Sequence, residues 1–138
     1  MFNTEMALMK LRENNLKLTP QRIETISVLA RIGHRHPSLK EVLKEVSRRV
    51  PTISFSTLYT IIKTLENLNL VKTFDINGET RVEINIKPHI NFIFTETGEI
   101  RDIEDPELLE RLREEVKNKL GSNDGYDLSL VNVYLVKT

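Results

Sequence analysis

The stretch SFSTLYTIIKTLENLNLVKTFDINGETRVEINI, residues 54–86, decides the fold of this chain. Its first half repeats apolar residues at helical spacing, which predicts a helix with one buried face. Its second half contains two short β-type runs, 70–76 and 80–86, joined by Asn77-Gly78. Asn-Gly between such runs is a strong signal for a β-hairpin. The stretch therefore predicts a helix that is followed directly by a hairpin.

Further helices are predicted before this stretch. Thr19-Pro20 supplies an N-cap and a proline at the first helical position, and Gly33 stops that helix. Ser38 and Glu41 have the spacing of a capping box, which predicts that another helix begins there. Helices followed by a β-hairpin are the order of a winged helix-turn-helix. In such proteins the last helix of the motif enters the DNA major groove.

The outer face of the last helix is polar without being strongly charged. Its members are Thr57, Thr60, Lys63, Thr64 and Asn67, with Tyr59 beside them. Hydroxyls, an amide and an aromatic ring suit contacts with base edges and phosphates. A half-buried core position is the alternative for Tyr59. In the hairpin, Arg81 is expected near the tip, along the DNA backbone.

The second half of the chain predicts a small α/β unit. Lys87-Pro88 marks a hinge at 86–89, which separates a winged-helix domain, 1–86, from a dimerisation domain, 87–138. Strands are predicted at 90–95, 99–103 and 128–136, with a helix that begins at Asp105-Pro106 and ends at Gly121. A unit of about 50 residues buries little core by itself, so pairing with a second copy is expected. The alternation predicts a core of Ile90, Phe92, Phe94, Ile100, Val133 and Leu135.

Charge is distributed unevenly, although the net charge is zero. Residues 1–74 contain 12 basic and 6 acidic side chains, and the remainder contains 8 basic and 14 acidic ones. A basic half can neutralise DNA phosphates and release their counterions. The fold class is therefore predicted as α+β, with a DNA-binding first domain.

Composition excludes several other classes of protein. The chain contains no cysteine, which excludes disulfides, thiolate zinc sites and cysteine nucleophiles. No apolar run approaches the ~18–20 residues that span a bilayer, and the first ten residues lack the features of a signal peptide. A cytoplasmic protein without a membrane partner is expected. No glycine-rich phosphate loop or nucleophile constellation is present, so the protein is not expected to be an enzyme.

Several motifs together resemble the ferric uptake regulator family of metal-responsive repressors. They are Leu18–Arg22, His36–Ser38, Ile53–Tyr59, Leu65-Glu66, Leu70-Val71 and Thr97–Ile100. The resemblance extends from about Leu16 to Val136. It implies a homodimer whose winged helices bind double-stranded DNA at an AT-rich palindrome.

The resemblance also implies which residues contact DNA. Lys17 matches a lysine that reaches the minor groove, and Tyr59 matches a tyrosine that touches a thymine methyl group. The other matching positions are Arg22, Ser54, Ser56 and Thr57. Thr60, Lys63 and Arg81 are expected to contact DNA because of their places on the outer helix face and in the hairpin. Thr60 stands where the family often has arginine, which leaves the target sequence open. The alternatives are that Arg22 pairs with Glu24 or Glu45, and that Lys17 is only a surface charge.

A regulatory metal site is implied in the same way. His36, Glu83, His89 and Asp102 match four of its ligands, and Asn91 replaces the second histidine of the hinge. An amide oxygen is at most a weak ligand. One divalent ion per subunit, zinc, iron or manganese, is expected. A solvated cluster without metal is the alternative. The use of aspartate instead of glutamate at ligand position 102 resembles the peroxide-responsive branch of the family.

The family's second metal site is expected to be missing. Family members commonly hold a structural zinc with two Cys-x-x-Cys pairs. Phe94 and Thr97 occupy the places of the first pair, and the chain has no cysteine for the second. A metal-gated repressor is the leading hypothesis. The alternatives are a metal-independent regulator of the same fold, a winged helix that binds protein, and a metallohydrolase built on the four matched ligands.

Overall fold

The computed structural model describes residues 2–138. The chain forms two compact units, of which the first ends at Ile86 and the second spans Lys87–Thr138. Helices and two separate sheets make up the fold, so the predicted α+β class is confirmed. Within residues 2–138, no helix has the length and apolar character needed to cross a membrane. Met1, the first of the residues in which a signal peptide was sought, lies outside the described residues.

The first unit begins with helices whose ends follow from local sequence. They are α1 (Thr4–Glu13), α2 (Pro20–Ile32), a 3₁₀ turn (Gly33–Arg35), α3 (Leu39–Ser47) and α4 (Phe55–Asn67). The side chains of Thr19, Ser38 and Ser54 each accept a hydrogen bond from a free N–H of the first helical turn. Ser38 and Glu41 form the predicted capping box. The three N-caps therefore position the helices of the winged helix.

A two-stranded antiparallel hairpin completes the first unit. It consists of β1 (Lys72–Ile76) and β2 (Glu79–Glu83). At the turn, Asn77 and Gly78 have φ values of 51° and 83°. Positive φ at both central residues is what the two-residue hairpin turn requires, and asparagine and glycine tolerate it. Both strands are shorter than predicted. β1 begins at Lys72 instead of at 70, and β2 ends at Glu83 instead of continuing to 86.

The core of the first unit joins all of its helices to the hairpin. Leu29 from α2, Val42 from α3, and Leu58 and Ile62 from α4 are almost completely buried. Gly33 does not end α2 through a left-handed conformation, because its φ is −58°. A Cβ atom at this position would lie 2.6 Å from Cγ2 of Ile84. Glycine is therefore needed where the chain after the hairpin packs against the 3₁₀ turn.

The second unit contains a three-stranded sheet and one helix. Its elements are β3 (His89–Phe94), β4 (Glu99–Ile103), α5 (Pro106–Leu120) and β5 (Leu130–Leu135). β3 lies in the centre, antiparallel to β4 and parallel to β5.

The register of this sheet corrects the predicted core. Ile100 pairs with Ile93, so Ile100 lies on the opposite face from Ile90, Phe92 and Phe94. The predicted alternation assigned Ile100 to the wrong face, because strand pairing across a turn cannot be read from the period of one strand.

Candidate functional site

The first turns of α2 and α4 line a common cavity of about 310 Å³. Its lining residues are Lys17, Thr19, Gln21, Arg22, Ser56, Thr57, Thr60 and Ile61. Five of these were proposed from the sequence to contact DNA, namely Lys17, Arg22, Ser56, Thr57 and Thr60. The fold therefore brings together residues that are up to 43 positions apart in the chain, from 17 to 60. Two cations and several hydroxyls converge on one concave surface.

Arg22 supports this surface from within. Its Nη1 donates to the backbone oxygen of Lys17 at 2.9 Å, across the loop that precedes α2. The alternative partners are engaged elsewhere, since Glu24 lies 3.9 Å from Arg49 and Glu45 contacts two other arginines. Arg22 thus holds the loop that presents the exposed side chain of Lys17.

The hydroxyl groups of α4 are oriented by the helix itself. Ser54 Oγ accepts from the backbone N–H of Thr57 at 3.1 Å and donates to its Oγ1 at 3.0 Å. Thr60 Oγ1 donates to the backbone oxygen of Ser56 at 3.1 Å. Because these hydroxyl hydrogens are donated to groups within or next to the helix, the remaining lone pairs of the oxygens can act as acceptors. Such a surface can accept hydrogen bonds from bases and contact thymine methyl groups.

Tyr59 lies outside the core. Its exposed fraction is 44%, whereas the neighbouring Leu58 is completely buried. The alternative of a half-buried core tyrosine is therefore wrong. Lys63, one turn further along α4, places Nζ 5.4 Å from the centre of the Tyr59 ring and 3.0 Å from Glu66 Oε1. This ammonium group is thus partly neutralised by Glu66 before any DNA is bound.

Glu66 connects α4 to the hairpin. Its Oε2 accepts hydrogen bonds from the backbone N–H of Thr73 at 2.9 Å and from the Thr73 hydroxyl at 2.8 Å. Partial burial acts to raise the pKa of Glu66, but the hydrogen bonds from Thr73 and Lys63 outweigh it and hold the pKa below its usual value. The hydrogen bond to Glu66 also raises the pKa of Lys63.

This connection predicts a pH-dependent contribution to stability. Glu66→Gln should lower the free energy of unfolding by about 1–3 kcal/mol at neutral pH, because charged hydrogen bonds to Thr73 and Lys63 are lost. When folding lowers the pKa of a carboxylate, its contribution to the free energy of unfolding is complete above the pKa of the unfolded state. This contribution disappears as the pH falls through the pKa of the folded state. The stability difference between wild type and variant, measured by urea denaturation, should therefore narrow below about pH 4.5. A difference independent of pH between 3 and 7 would contradict this role.

Arg81 does not lie near the tip of the hairpin, contrary to the sequence-based expectation. It pairs with Phe74, three residue pairs from the turn, and is half-buried. Its Nη1 donates to the backbone oxygen of His36 at 3.1 Å, and its Nε is buried without a hydrogen-bond partner in the described part of the chain. Residues two apart in a strand share a face, so Arg81 and Glu83 both face the loop that carries His36.

His36 and Glu83 form a buried pair in the first unit. His36 Nε2 donates to Glu83 Oε1 at 3.2 Å, and Glu83 Oε2 accepts from the backbone N–H of Asn85 at 3.2 Å. The Glu83 side chain is only 2% exposed. His36 has a left-handed backbone with φ of 53° and packs edge-on against the Phe74 ring. A buried carboxylate opposite an imidazole provides one oxygen and one nitrogen donor.

A second pair of the same kind lies in the second unit. His89 Nε2 is 3.8 Å from Asp102 Oδ2. His89 Nδ1 donates to the backbone oxygen of Lys87 at 2.7 Å, which turns Nε2 toward the carboxylate. A histidine held in this way is typical of metal ligands, because the second nitrogen is fixed by a hydrogen bond to a carbonyl group.

The donor chemistry of both pairs fits a divalent metal. Imidazole nitrogen and carboxylate oxygen are ligands for zinc, iron and manganese. The four predicted ligands are distributed as two in each unit. Within residues 2–138, no group of three or more histidine, cysteine, aspartate or glutamate side chains is arranged so that it could hold an ion. A four-ligand site therefore stays a prediction.

Some residues at these surfaces were not anticipated from the sequence. Gln21 lines the cavity beside Lys17 and Arg22, and Phe55, at the start of α4, is 47% exposed. In the second unit, Asn132 accepts a hydrogen bond from the buried Asn91. The sequence did contain a sign that Asn132 has a special role, because its amide interrupts the otherwise apolar strand LVNVYL.

The chain is similar to known proteins over most of its length. The family model described as "Ferric uptake regulator family" matches residues 13–131. The chain is 44% identical over 131 residues to a ferric uptake regulation protein homolog from Archaeoglobus fulgidus, a match that covers 95% of this chain and 94% of that protein. It is 28% identical over 105 residues to the peroxide-responsive repressor PerR of Staphylococcus epidermidis, covering 75% of this chain and 69% of the repressor.

A solved structure extends the match to three dimensions. The Helicobacter pylori ferric uptake regulator, whose structure is described as revealing three functional metal binding sites, superposes with a TM-score of 0.76 at 29% identity. The match covers 96% of this chain and 91% of that one. The chain therefore belongs to the ferric uptake regulator family of metal-responsive transcriptional regulators.

Proposed function

We propose that this protein is a homodimeric repressor that binds AT-rich palindromic DNA and whose DNA affinity is gated by a divalent metal. The observation that carries this proposal is the cavity shared by the first turns of α2 and α4. There Lys17 and Arg22 lie beside the hydroxyls of Ser56, Thr57 and Thr60. Cations bind phosphates without regard to sequence, and the side chains on α4 discriminate bases.

The exposed ring of Tyr59 supplies the sequence-selective part of this surface. An aromatic ring on the outer face of α4 can contact the thymine methyl group in the major groove. Thr60, without a long cationic side chain, offers a methyl group and oxygen lone pairs instead of a guanine-specific guanidinium. This combination supports a preference for A·T base pairs. Arg81 is left out of the proposed DNA contacts because its guanidinium is engaged with the His36 loop.

The two His–carboxylate pairs support the metal response. His36 and Glu83 belong to the first unit, and His89 and Asp102 belong to the second. We propose that these four residues hold one ion of zinc, iron or manganese per subunit, with Asn91 as an additional oxygen donor. An ion shared by both pairs would restrict movement of the units about residues 86–89 and so favour one arrangement for DNA binding.

Homodimerisation is supported by the exposed apolar surface of the second unit. No residue of α5 is fully buried, and Leu120, Tyr134, Leu135 and Val136 are between 38% and 71% exposed. Exposed apolar area of this kind is characteristic of protein interfaces. A second copy would cover it and present two winged helices to the two half-sites of a palindrome.

DNA-binding measurements test this proposal directly. Fluorescence anisotropy would compare an AT-rich palindromic duplex with a scrambled duplex of the same composition, with manganese, with zinc and with a chelator. Tyr59→Ala should lose about 1–3 kcal/mol of preference for the palindrome, the usual cost of one mismatched base pair, while Tyr59→Phe should retain most of it. Lys17→Ala should weaken binding to both duplexes equally and reduce the slope of log affinity against log salt by about 1.

A lysine outside the surface provides the matched control. Lys117→Ala, in α5 of the second unit, should leave the affinity and salt slope unchanged. Binding that is equally strong with and without chelator would replace the metal-gated regulator with a metal-independent one. The absence of binding to either duplex at low salt would contradict the proposal and favour a winged helix that binds protein.

A further inference from the structure

A row of polar side chains crosses the apolar sheet of the second unit. Asp102 in β4, Asn91 in β3 and Asn132 in β5 are register partners, so they lie side by side on one face. His89 precedes Asn91 by two residues and shares this face. Asn91 is completely buried, and His89 is 6% exposed. Three strands thus bring an imidazole, a carboxylate and two amides together.

A completely buried amide in the central strand of so small a sheet is costly unless it is hydrogen-bonded. Asn91 Nδ2 donates to Asn132 Oδ1 at 3.4 Å. Because Nδ2 and Oδ1 lie on opposite sides of an amide group, this bond keeps the nitrogen of Asn91 toward β5. The oxygen of Asn91 is thereby turned away from β5, toward the side of the row where Asp102 lies in β4.

We infer that Asn132 is a positioning residue that presents the Asn91 oxygen as a metal ligand. The second unit then offers one imidazole nitrogen, one carboxylate oxygen and one amide oxygen. Oxygen ligands suit manganese, whereas zinc favours nitrogen and sulfur. The expected consequence is a smaller ratio of zinc affinity to manganese affinity than an imidazole at position 91 would produce. This inference rests on the metal response proposed above.

The test uses the full-length protein with Mn²⁺ or Zn²⁺ alone as the probe. Dissociation constants would be measured by competition with a chelating dye. Asn132→Leu removes the acceptor and should weaken Mn²⁺ binding by about 10–100-fold, the usual effect of losing an outer-shell partner, with a smaller effect on Zn²⁺. Asn132→Asp keeps an oxygen acceptor for Asn91 and should retain the wild-type ratio of the two affinities. Asn91→His should raise Zn²⁺ affinity relative to Mn²⁺.

Controls separate this inference from the fold and from the proposed function. Asn118→Leu, on exposed α5, should leave both dissociation constants unchanged. Circular dichroism melting without metal would identify a variant that fails to fold, in which case Asn132→Asp and Asn91→His carry the test. Equal losses for both metals in Asn132→Leu, or no change in either, would overturn the role of Asn132 while metal-gated DNA binding by the wild type still stood. A wild type that binds neither metal would overturn both.

Discussion

Replacing Leu58 by alanine is expected to lower the free energy of unfolding by about 2–5 kcal/mol, the usual cost of truncating a buried leucine. Leu58 is completely buried on the inner face of α4, where it belongs to the core that joins the helices and the hairpin. A cavity at this position cannot be filled without moving α4, because neighbouring Ile62 and Leu65 are also buried. Urea denaturation followed by circular dichroism would measure the loss.

The adjacent residue provides the matched control. Tyr59→Ala changes a larger side chain on the same helix, but the ring is 44% exposed. Its stability should therefore change much less than that of Leu58→Ala, whereas its preference for the palindromic duplex should fall. Similar losses of stability in the two variants would mean that the inner and outer faces of α4 are assigned incorrectly.

Glu83→Gln is expected to abolish most of the metal response of DNA binding. Glutamine has nearly the same shape and can still accept from the Asn85 N–H, but it removes the anionic oxygen opposite His36. Couplings between a metal and a second ligand are typically 5–150-fold in affinity, and this variant should lose about that factor. DNA anisotropy titrations with and without manganese would measure the ratio.

A second glutamate on the same strand serves as the control for this result. Glu79 begins β2 and is exposed, so Glu79→Gln should preserve the full metal response. If Glu83→Gln retains the wild-type ratio of affinities with and without metal, Glu83 is not a ligand of the regulatory ion. If both variants lose the metal response equally, the loss is caused by removing any negative charge from the hairpin and not by removing a metal ligand.

Much of the proposed DNA-binding surface could be predicted from the sequence, since its residues belong to short motifs. Lys17, Arg22 and Thr57 were proposed to contact DNA from such motifs, and the structure lines one cavity with them. Arg81 shows why the prediction was incomplete. Its position in the hairpin was clear from the turn at Asn77-Gly78, but the direction of its side chain depended on the contact between β2 and the His36 loop.

The sequence by itself determined the features that depend on a few neighbouring residues. The N-caps Thr19, Ser38 and Ser54 satisfy N–H groups three residues away, and Asn77-Gly78 adopts its turn because both residues tolerate positive φ. Such interactions join residues that are only a few positions apart, so the local sequence is enough to predict them.

Only the tertiary structure decided which distant side chains meet. Gly33 is required by Ile84, 51 positions later, and Asn91 is held by Asn132, 41 positions later. The face on which Ile100 lies followed from the pairing of β3 with β4. These contacts depend on strand register and on close packing between separate elements, which the apolar periodicity of a single segment does not specify.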